Sequence, residues 1–376
     1  MDLNLTSEEM QFRDELRSWL AANMPADWAE RREESLESRF EYLRAWQRKL
    51  FEGGWAGASW PKQYGGRGAN LMQQVIFWQE MALASAPPMA NTLGLGLIGP
   101  TIIAFGTEAQ KTRYLAKILS AEEIWCQGFS EPNATWDLAG AKLAASSGKL
   151  TGEKLFVLDA DAADFIVIAA QTGVFLVEAQ APGLSITPMP ALDLTRNVYA
   201  VQFKDTPAEK LGDGTNLARA LDIATAALVA EMVGGMQRVL DLTVDYAKMR
   251  KQFGKPIGTF QAVQHQCADM YLETESSRSA AYYAAWALEH DAPDAATATS
   301  IAKMYASDAC RAVGNRGIQI RGGNGFAWEN DLHLYYRRAK ASETMLGDAT
   351  FHRERIARLV IDTVPAWCGG NDRSLR

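Results

Sequence analysis

The spacing of apolar positions changes twice along the chain, and each change marks a boundary. Near the start, Thr6-Ser7-Glu8-Glu9 supplies a capping side chain followed by acids, and Met10, Phe12 and Leu16 then recur at helical spacing. A second helix is predicted over SLESRFEYLRAWQRKLFEGG, ending at Gly53-Gly54. Pro61 and YGGRG at 64–68 mark an irregular connection, and residues 1–120 read as mainly helical. The period then shortens. FVLDADAADFIVIAAQTGVFLVEAQAPGLSITPMP holds short Val, Ile and Phe runs broken by Gly, Pro and Asp, which predicts strands and turns and places a β domain at about 121–212. From Ala218 on, long alanine-rich amphipathic stretches return: LARALDIATAALVAEMVGGMQRVLDLTVDYAKMR, QAVQHQCADMYLETESSRSAAYYAAWALEH and ATATSIAKMYASDACRAVGNRGIQI. Each is long enough to cross a domain, so residues 213–376 are expected to form a helical bundle. The fold class expected is α+β, in the order helical, β, helical.

Composition narrows the function classes. A chain of 376 residues can bury a sizeable core and still enclose a deep pocket. With 48% hydrophobic and 22% charged residues it reads as an ordinary soluble globular protein. A net charge of -7 without a basic stripe argues against nucleic acid as a partner. Cys126, Cys267, Cys310 and Cys368 lack CxxC spacing, which favours reduced thiols acting as small core hydrophobes over disulfides or a catalytic thiol. No secretory pattern and no membrane-length apolar run is present, so a cytoplasmic location without membrane partner is expected, and no metal.

Several segments suit a phosphate-bearing ligand. YAKMRKQFGKPIGTFQ sets Arg250 near a helix end, where a guanidinium offers a bidentate fork for pyrophosphate and Gly254 lets backbone N–H groups come close. Alone, such an arginine is commonly a helix-dipole partner or a solvated charge. QIRGGNGF at 319–326 places three glycines in four positions after a helix, which serves equally as a C-cap and turn or as an open approach to a ligand. It is not the dinucleotide fingerprint, since no strand precedes it. GFSEPNATWDLAG at 128–140 reads as a loop shaped to hold something, with Trp136 in its middle.

Taken in order, GWAGASWPKQYGGRG, SEP at 130–132, GEK at 152–154, YAKMRKQFGKPIGTFQ, QIRGGNGF and RRAK at 337–340 resemble the acyl-CoA dehydrogenase family over nearly the whole chain. The resemblance implies an N-terminal helical domain, a middle β-barrel-like domain and a C-terminal four-helix bundle. FAD would lie between two subunits. The implied chemistry removes the α proton of an acyl-CoA thioester with a carboxylate while the β hydrogen leaves as hydride, and an electron-transfer flavoprotein collects the electrons.

Two sets of family positions fare differently in this sequence. Arg250, Phe253, Gln261, Gln319, Gly322 and Gly323 match those that reach across the dimer interface to the ADP half of the neighbour's FAD. The positions around the chain's own flavin ring and thioester depart from the family. Asn133-Ala134-Thr135-Trp136 stands for Gly-x-Gly-Ser, Phe156-Val157-Leu158 for Trp-x-Thr, and Leu346-Gly347-Asp348 for Glu-Gly-Thr. Leu346 thus occupies the usual place of the catalytic glutamate, and Ala224 its alternative place on an earlier helix. Glu231 lies on the same helix face as Ala224, about 10 Å further along at about 1.5 Å per residue. It is a weak candidate base, and it, Glu343 and Asp348 are read rather as ion-pair partners.

The pattern is similar to the non-catalytic β subunit of heteromeric α2β2 enzymes that shorten steroid side-chain CoA thioesters. Such a subunit would complete the FAD site of a catalytic partner, and its own pocket, plugged by Trp136, would be vestigial. WENDLHLYYRRAK at 328–340 also resembles that branch. The alternative is a homo-oligomeric FAD enzyme with a relocated base such as Glu231. A third class, a DNA-binding relative, is disfavoured by the acidic balance.

Overall fold

Thr6 starts the first helix as its spacing predicts: its hydroxyl accepts the Glu9 N–H at 3.3 Å and the Glu9 carboxylate accepts the Thr6 N–H at 2.7 Å, closing a capping box. The structure, a computed structural model, describes residues 5–31, 36–132, 141–211 and 217–361. The 133–140 stretch with Trp136, and Cys368, lie outside the described residues. The N-terminal part contains α1 (Ser7–Asn23), α2 (Trp28–Arg31), α3 (Leu36–Glu52), α4 (Leu71–Leu83), α5 (Gly99–Phe105) and α6 (Glu108–Ser120). Asn70 with Gln73, and Thr107 with Gln110, repeat the capping box at α4 and α6. Phe12, Leu16 and Leu20 of α1 join Trp46, Trp55, Trp60 and Ile76 in one core.

The strands are β1 (Trp125–Gly128), β2 (Ala144–Ser146), β3 (Lys149–Leu158), β4 (Phe165–Ala170), β5 (Gly173–Glu178), β6 (Leu184–Met189), β7 (Val198–Pro207) and β8 (Glu209–Lys210). They form two four-stranded sheets, ordered β1-β4-β5-β8 and β2-β3-β7-β6, with only β1 and β4 parallel. All six residues of β4 are buried, because alternate side chains point to opposite faces. Phe165, Val167 and Ala169 enter the core of the N-terminal helices, whereas Ile166, Ile168 and Ala170 meet Val157, Val201 and Phe203 between the sheets. The first sheet is thereby fastened on both sides.

The C-terminal part consists of α7 (Leu217–Met249), α8 (Gln261–Glu289), α9 (Ala295–Arg321), α10 (Leu332–Thr344) and α11 (Ala349–Val360). The α7–α8 connection is a hairpin of β9 (Lys251–Gln252) and β10 (Lys255–Pro256), turned by Phe253 and Gly254, both at positive φ. Small residues, among them Ala281, Ala284, Ala302 and Ala306, let α7, α8 and α9 pack closely. The shorter α10 and α11 lie on α9, and α4 lies against α7 and α8. A Cβ on Gly234 of α7 would come 2.4 Å from the Gln79 carbonyl of α4, so a side chain there would force those helices apart. Cys126 and Cys310 are buried as small hydrophobes and burial pushes the Cys310 thiol up to about 12; Cys267 is only half-buried. Among the described residues no helix is long and apolar enough to cross a membrane.

Candidate functional site

Helix α7 presents Ala224, Ala227, Leu228, Glu231 and Gly235 as one stripe at three- and four-residue spacing. Opposite them stand Trp78, Met81 and Leu97 from the N-terminal part, Leu158 at the end of β3, and Leu346. Together these line a half-open cavity of about 260 Å³ with a mainly apolar wall. The described residues thus leave a cavity here, while Trp136, expected to plug it, lies outside them. Both positions at which the sequence places a family base, Ala224 and Leu346, line it without a proton acceptor.

The turn that carries Leu346 is held from beneath. Leu346 (φ 57°) and Gly347 (φ 96°) both take the left-handed conformation, which costs a leucine energy and must be enforced by its surroundings. The fully buried Lys303 ammonium donates to the carbonyls of Gly347 at 2.9 Å and Glu343 at 3.0 Å and to the Ser307 hydroxyl at 2.9 Å. The His352 ring nitrogen Nε2 hydrogen-bonds the Leu346 carbonyl at 3.0 Å, and Asp348 caps α11 by accepting the Phe351 N–H at 2.7 Å. Burial lowers Lys303 to about 8 and His352 to about 4, so each resists charging in this site. Glu343 is occupied by Arg311 at 2.8 Å and Lys340 at 2.7 Å. Neither Glu343 nor Asp348 is a free base.

Glu231 does reach the cavity, but as the centre of an ionic cluster. Arg196 lies on the β6–β7 connection and Arg338 on α10; Glu231 Oε1 accepts from Arg196 at 2.8 Å and from Arg338 at 2.7 Å, and Oε2 from Arg196 at 3.0 Å. Arg338 also donates to Asp193 at 2.7 Å and to the Thr195 hydroxyl. Burial alone would raise the Glu231 carboxyl, but the two guanidinium groups outweigh it and hold it below the usual range. A carboxylate stabilised in this way is a poorer proton acceptor.

The motif residues Glu131 and Lys154 find each other inside the β region. Lys154 is fully buried, and its ammonium lies 2.6 Å from Glu131 Oε1. The same carboxylate accepts the backbone N–H groups of Lys142 and Leu143, each at 2.9 Å. It therefore ties together the two ends of the 133–140 segment. Farther along β3, a register shift between Lys154 and Val157 turns Phe156 outward at φ 56°, leaving it 60% exposed, while Leu158 reaches the cavity wall with no hydroxyl to offer a ligand.

The remaining sequence-predicted residues gather at one end of the bundle, because α7 ends, α8 begins and α9 ends there. Arg250 follows α7, Gln261 opens α8, and Gln319, Gly322 and Gly323 close α9; all are exposed. Arg321 stacks over Tyr246 at 5.2 Å and Asn324 donates to the Tyr246 hydroxyl at 3.3 Å, which fixes the two loops side by side. Phe253 stands 91% exposed, with only an edge contact to Phe260 at 6.0 Å. Met249, Tyr271, Leu272, Phe326 and Trp328 are exposed as well. A Cβ on Gly254, Gly322 or Gly323 would meet no atom within 4 Å, so the backbone there is open to a large group.

Arg196, Asp193, Lys303 and His352 escape the sequence reading. Lys303 leaves one trace: Thr299, Lys303, Ala306, Cys310 and Val313 are all buried at four- and three-residue spacing, so a lysine interrupts an otherwise uncharged stripe.

Comparison with known proteins agrees with this architecture. Residues 6–122 match the acyl-CoA dehydrogenase N-terminal domain and residues 212–361 the acyl-CoA dehydrogenase C-terminal domain. Acyl-CoA dehydrogenase IpdE2 of Mycolicibacterium smegmatis is 33% identical over 80% of this chain and 81% of its own. The structure of the ChsE4-ChsE5 complex from Mycobacterium tuberculosis superposes with a TM-score of 0.86 at 26% identity, covering 97% of this chain and all of the matched one. A steroid acyl-CoA dehydrogenase variant, Tcur3481-Tcur3483, gives 0.80 at 27% identity over 94% of this chain and 98% of the other. With these matches spanning both helical parts and the sheets between them, the chain belongs to the acyl-CoA dehydrogenase family.

Proposed function

We infer that this chain is the non-catalytic subunit of a heteromeric acyl-CoA dehydrogenase: it lends one end of its bundle to a catalytic partner and has no complete site of its own. The observation that carries this reading is the contrast between the two regions. Around the chain's own cavity, leucine and alanine occupy both base positions; of the two carboxylates on its wall, Glu231 is held by two arginines, and Asp159 accepts from the backbone N–H and the side-chain amide of Asn197. At the bundle end, the exposed Arg250, the exposed Phe253 ring and the open glycines offer a cationic, aromatic and unobstructed surface. That surface suits the ADP half of FAD, with Gln261 and Gln319 as further polar contacts. Phe156 and Leu158 do not suit its ring, since neither supplies a hydrogen-bond partner.

In this arrangement FAD supplies the hydride acceptor for α,β-desaturation of an acyl-CoA thioester. This chain's residues hold the pyrophosphate and adenosine end, and they do so through backbone and guanidinium donors, whose charge complements phosphate. The partner carries the base and the thioester pocket. The likeness to ChsE4-ChsE5, a complex of two differently named chains, and to a steroid acyl-CoA dehydrogenase supports an α2β2 assembly acting on a steroid side-chain CoA. An electron-transfer flavoprotein is the expected electron acceptor.

Leu346→Glu tests the reading directly. The new carboxylate would be buried on a mainly apolar wall whose two cluster guanidinium groups, Arg196 and Arg338, are already committed to Glu231, so its pKa would rise and it would stand largely neutral. The variant purified alone is expected to retain no flavin and to show no acyl-CoA dehydrogenation. Substantial dehydrogenation by Leu346→Glu alone would overturn the proposal.

A further inference from the structure

The β6–β7 connection, residues 190–197, crosses the bundle face and supplies Thr195, Arg196 and Asn197 to the cavity wall. Apolar burial does not hold it there. Leu192 is 50% exposed and Leu194 40%, and its one buried residue is the charged Asp193. What fastens it is a row of arginine contacts, together with Asn197, which donates twice to the Asp159 carboxylate and accepts the Asp159 N–H. Arg338 of α10 takes Asp193 and Thr195, Arg196 takes Glu231 of α7, Arg337 donates to the Leu192 carbonyl at 3.3 Å, and Arg39 of α3 donates to the Leu194 carbonyl at 3.3 Å. Arg196 also lies 3.5 Å from the Met345 sulfur, beside the Leu346 turn.

A segment bound to its neighbours by polar contacts, with little apolar surface buried, opens at a free energy set by those contacts rather than by the core. Glu231 is the one group that both arginines of the cluster share. We propose that residues 190–197 form a strap latched by Glu231, Arg196, Arg338 and Asp193, and that the strap opens locally and widens access to the already half-open cavity while the bundle stays folded. The charges of the latch are balanced, two carboxylates against two guanidinium groups, so a closed strap leaves no free charge on that wall. This inference does not depend on the subunit role proposed above.

Hydrogen exchange of the full chain, resolved by peptide, tests it. Glu231→Gln removes the shared acceptor charge and is expected to speed amide exchange in 190–197 by about tenfold or more, while α9 amides keep their wild-type rates. Binding of a neutral environment-sensitive dye such as Nile red should rise in parallel. If Glu231→Gln does not fold, Arg337→Ala, which removes only the tie to the Leu192 carbonyl, should give a smaller acceleration confined to the same peptide. Arg13→Ala, which breaks a pair with Asp14 on α1, should give none there. Unchanged exchange in the strap, or strap and α9 accelerating together, would overturn the latch.

Discussion

The buried pair of Glu131 and Lys154 makes a sharp quantitative prediction, because each partner is nearly the other's sole compensation. Among the described residues Lys154 has, besides Glu131 at 2.6 Å, only the Phe129 carbonyl at 3.4 Å. Lys154→Met leaves the carboxylate with its two backbone N–H donors but no counter-charge, and Glu131→Gln leaves a fully buried ammonium without an anion. Breaking a buried pair from one side costs about 3–5 kcal/mol. If the sites were independent the double variant would lose about 6–10 kcal/mol, the sum of two such losses. The net value of a buried pair is far smaller than either loss, since desolvation offsets most of its attraction, so the double variant is expected to lose only about 2–3 kcal/mol. The coupling is then about 3 kcal/mol or more, at the upper end of what contacting residues show. Urea unfolding of the four proteins, followed by circular dichroism and fluorescence, measures it. Additivity within about 0.5 kcal/mol, or a single-variant loss under about 1 kcal/mol, would refute this assignment of the SEP and GEK motifs.

At the bundle end, Arg250→Ala and Phe253→Ala should leave the isolated chain's stability within about 0.5 kcal/mol of wild type, as exposed positions do, yet lower the flavin retained by a mixed assembly. Equal flavin retention would argue that these residues serve only folding or solubility. Lys303 carries a pH signature. Its amine titrates at about 8 when folded against 10.5 for an ordinary lysine, so between those limits the unfolded chain binds more protons and stability rises with pH. Cys310, pushed up to about 12 from 9.0, acts in the opposite sense above pH 9, so the window to measure is pH 8 to 9. There wild type should gain about 1 kcal/mol relative to Lys303→Met. A flat difference would mean that Lys303 stays charged. His352, neutral and held at about 4 against 6.5, should make stability fall as pH drops from 6.5 towards 4, a loss that His352→Gln would abolish; an equal loss in that variant would assign it elsewhere.

The elements were legible in the sequence wherever the local rule and the tertiary structure agree. The helix beginning at Thr6 has its capping box, and the three long C-terminal helices run within a residue or two of their alanine-rich stretches. The strands fall where Val and Ile cluster, and β4 shows why that run lacks polar alternation: it faces two cores. The site was legible only in part. Arg250, Phe253 and the α9 glycines lie at one end because antiparallel helices return there; in the sequence it was the family resemblance that grouped them. The ionic cluster was not foreseeable. Asp193 and Arg196 lie in a loop, Glu231 and Arg338 on helices, with more than a hundred residues between the outermost, and nothing local links them. Glu231 was visible as an acid near the pocket, but its two arginine partners, which decide its chemistry, were not.

The measurement closest to the central claim is FAD stoichiometry, by absorbance, of this chain expressed alone and then together with a catalytic acyl-CoA dehydrogenase subunit. The account predicts no bound flavin alone and about one FAD for each pair of unlike chains in an α2β2 assembly. About one FAD per chain in the protein expressed alone would contradict it.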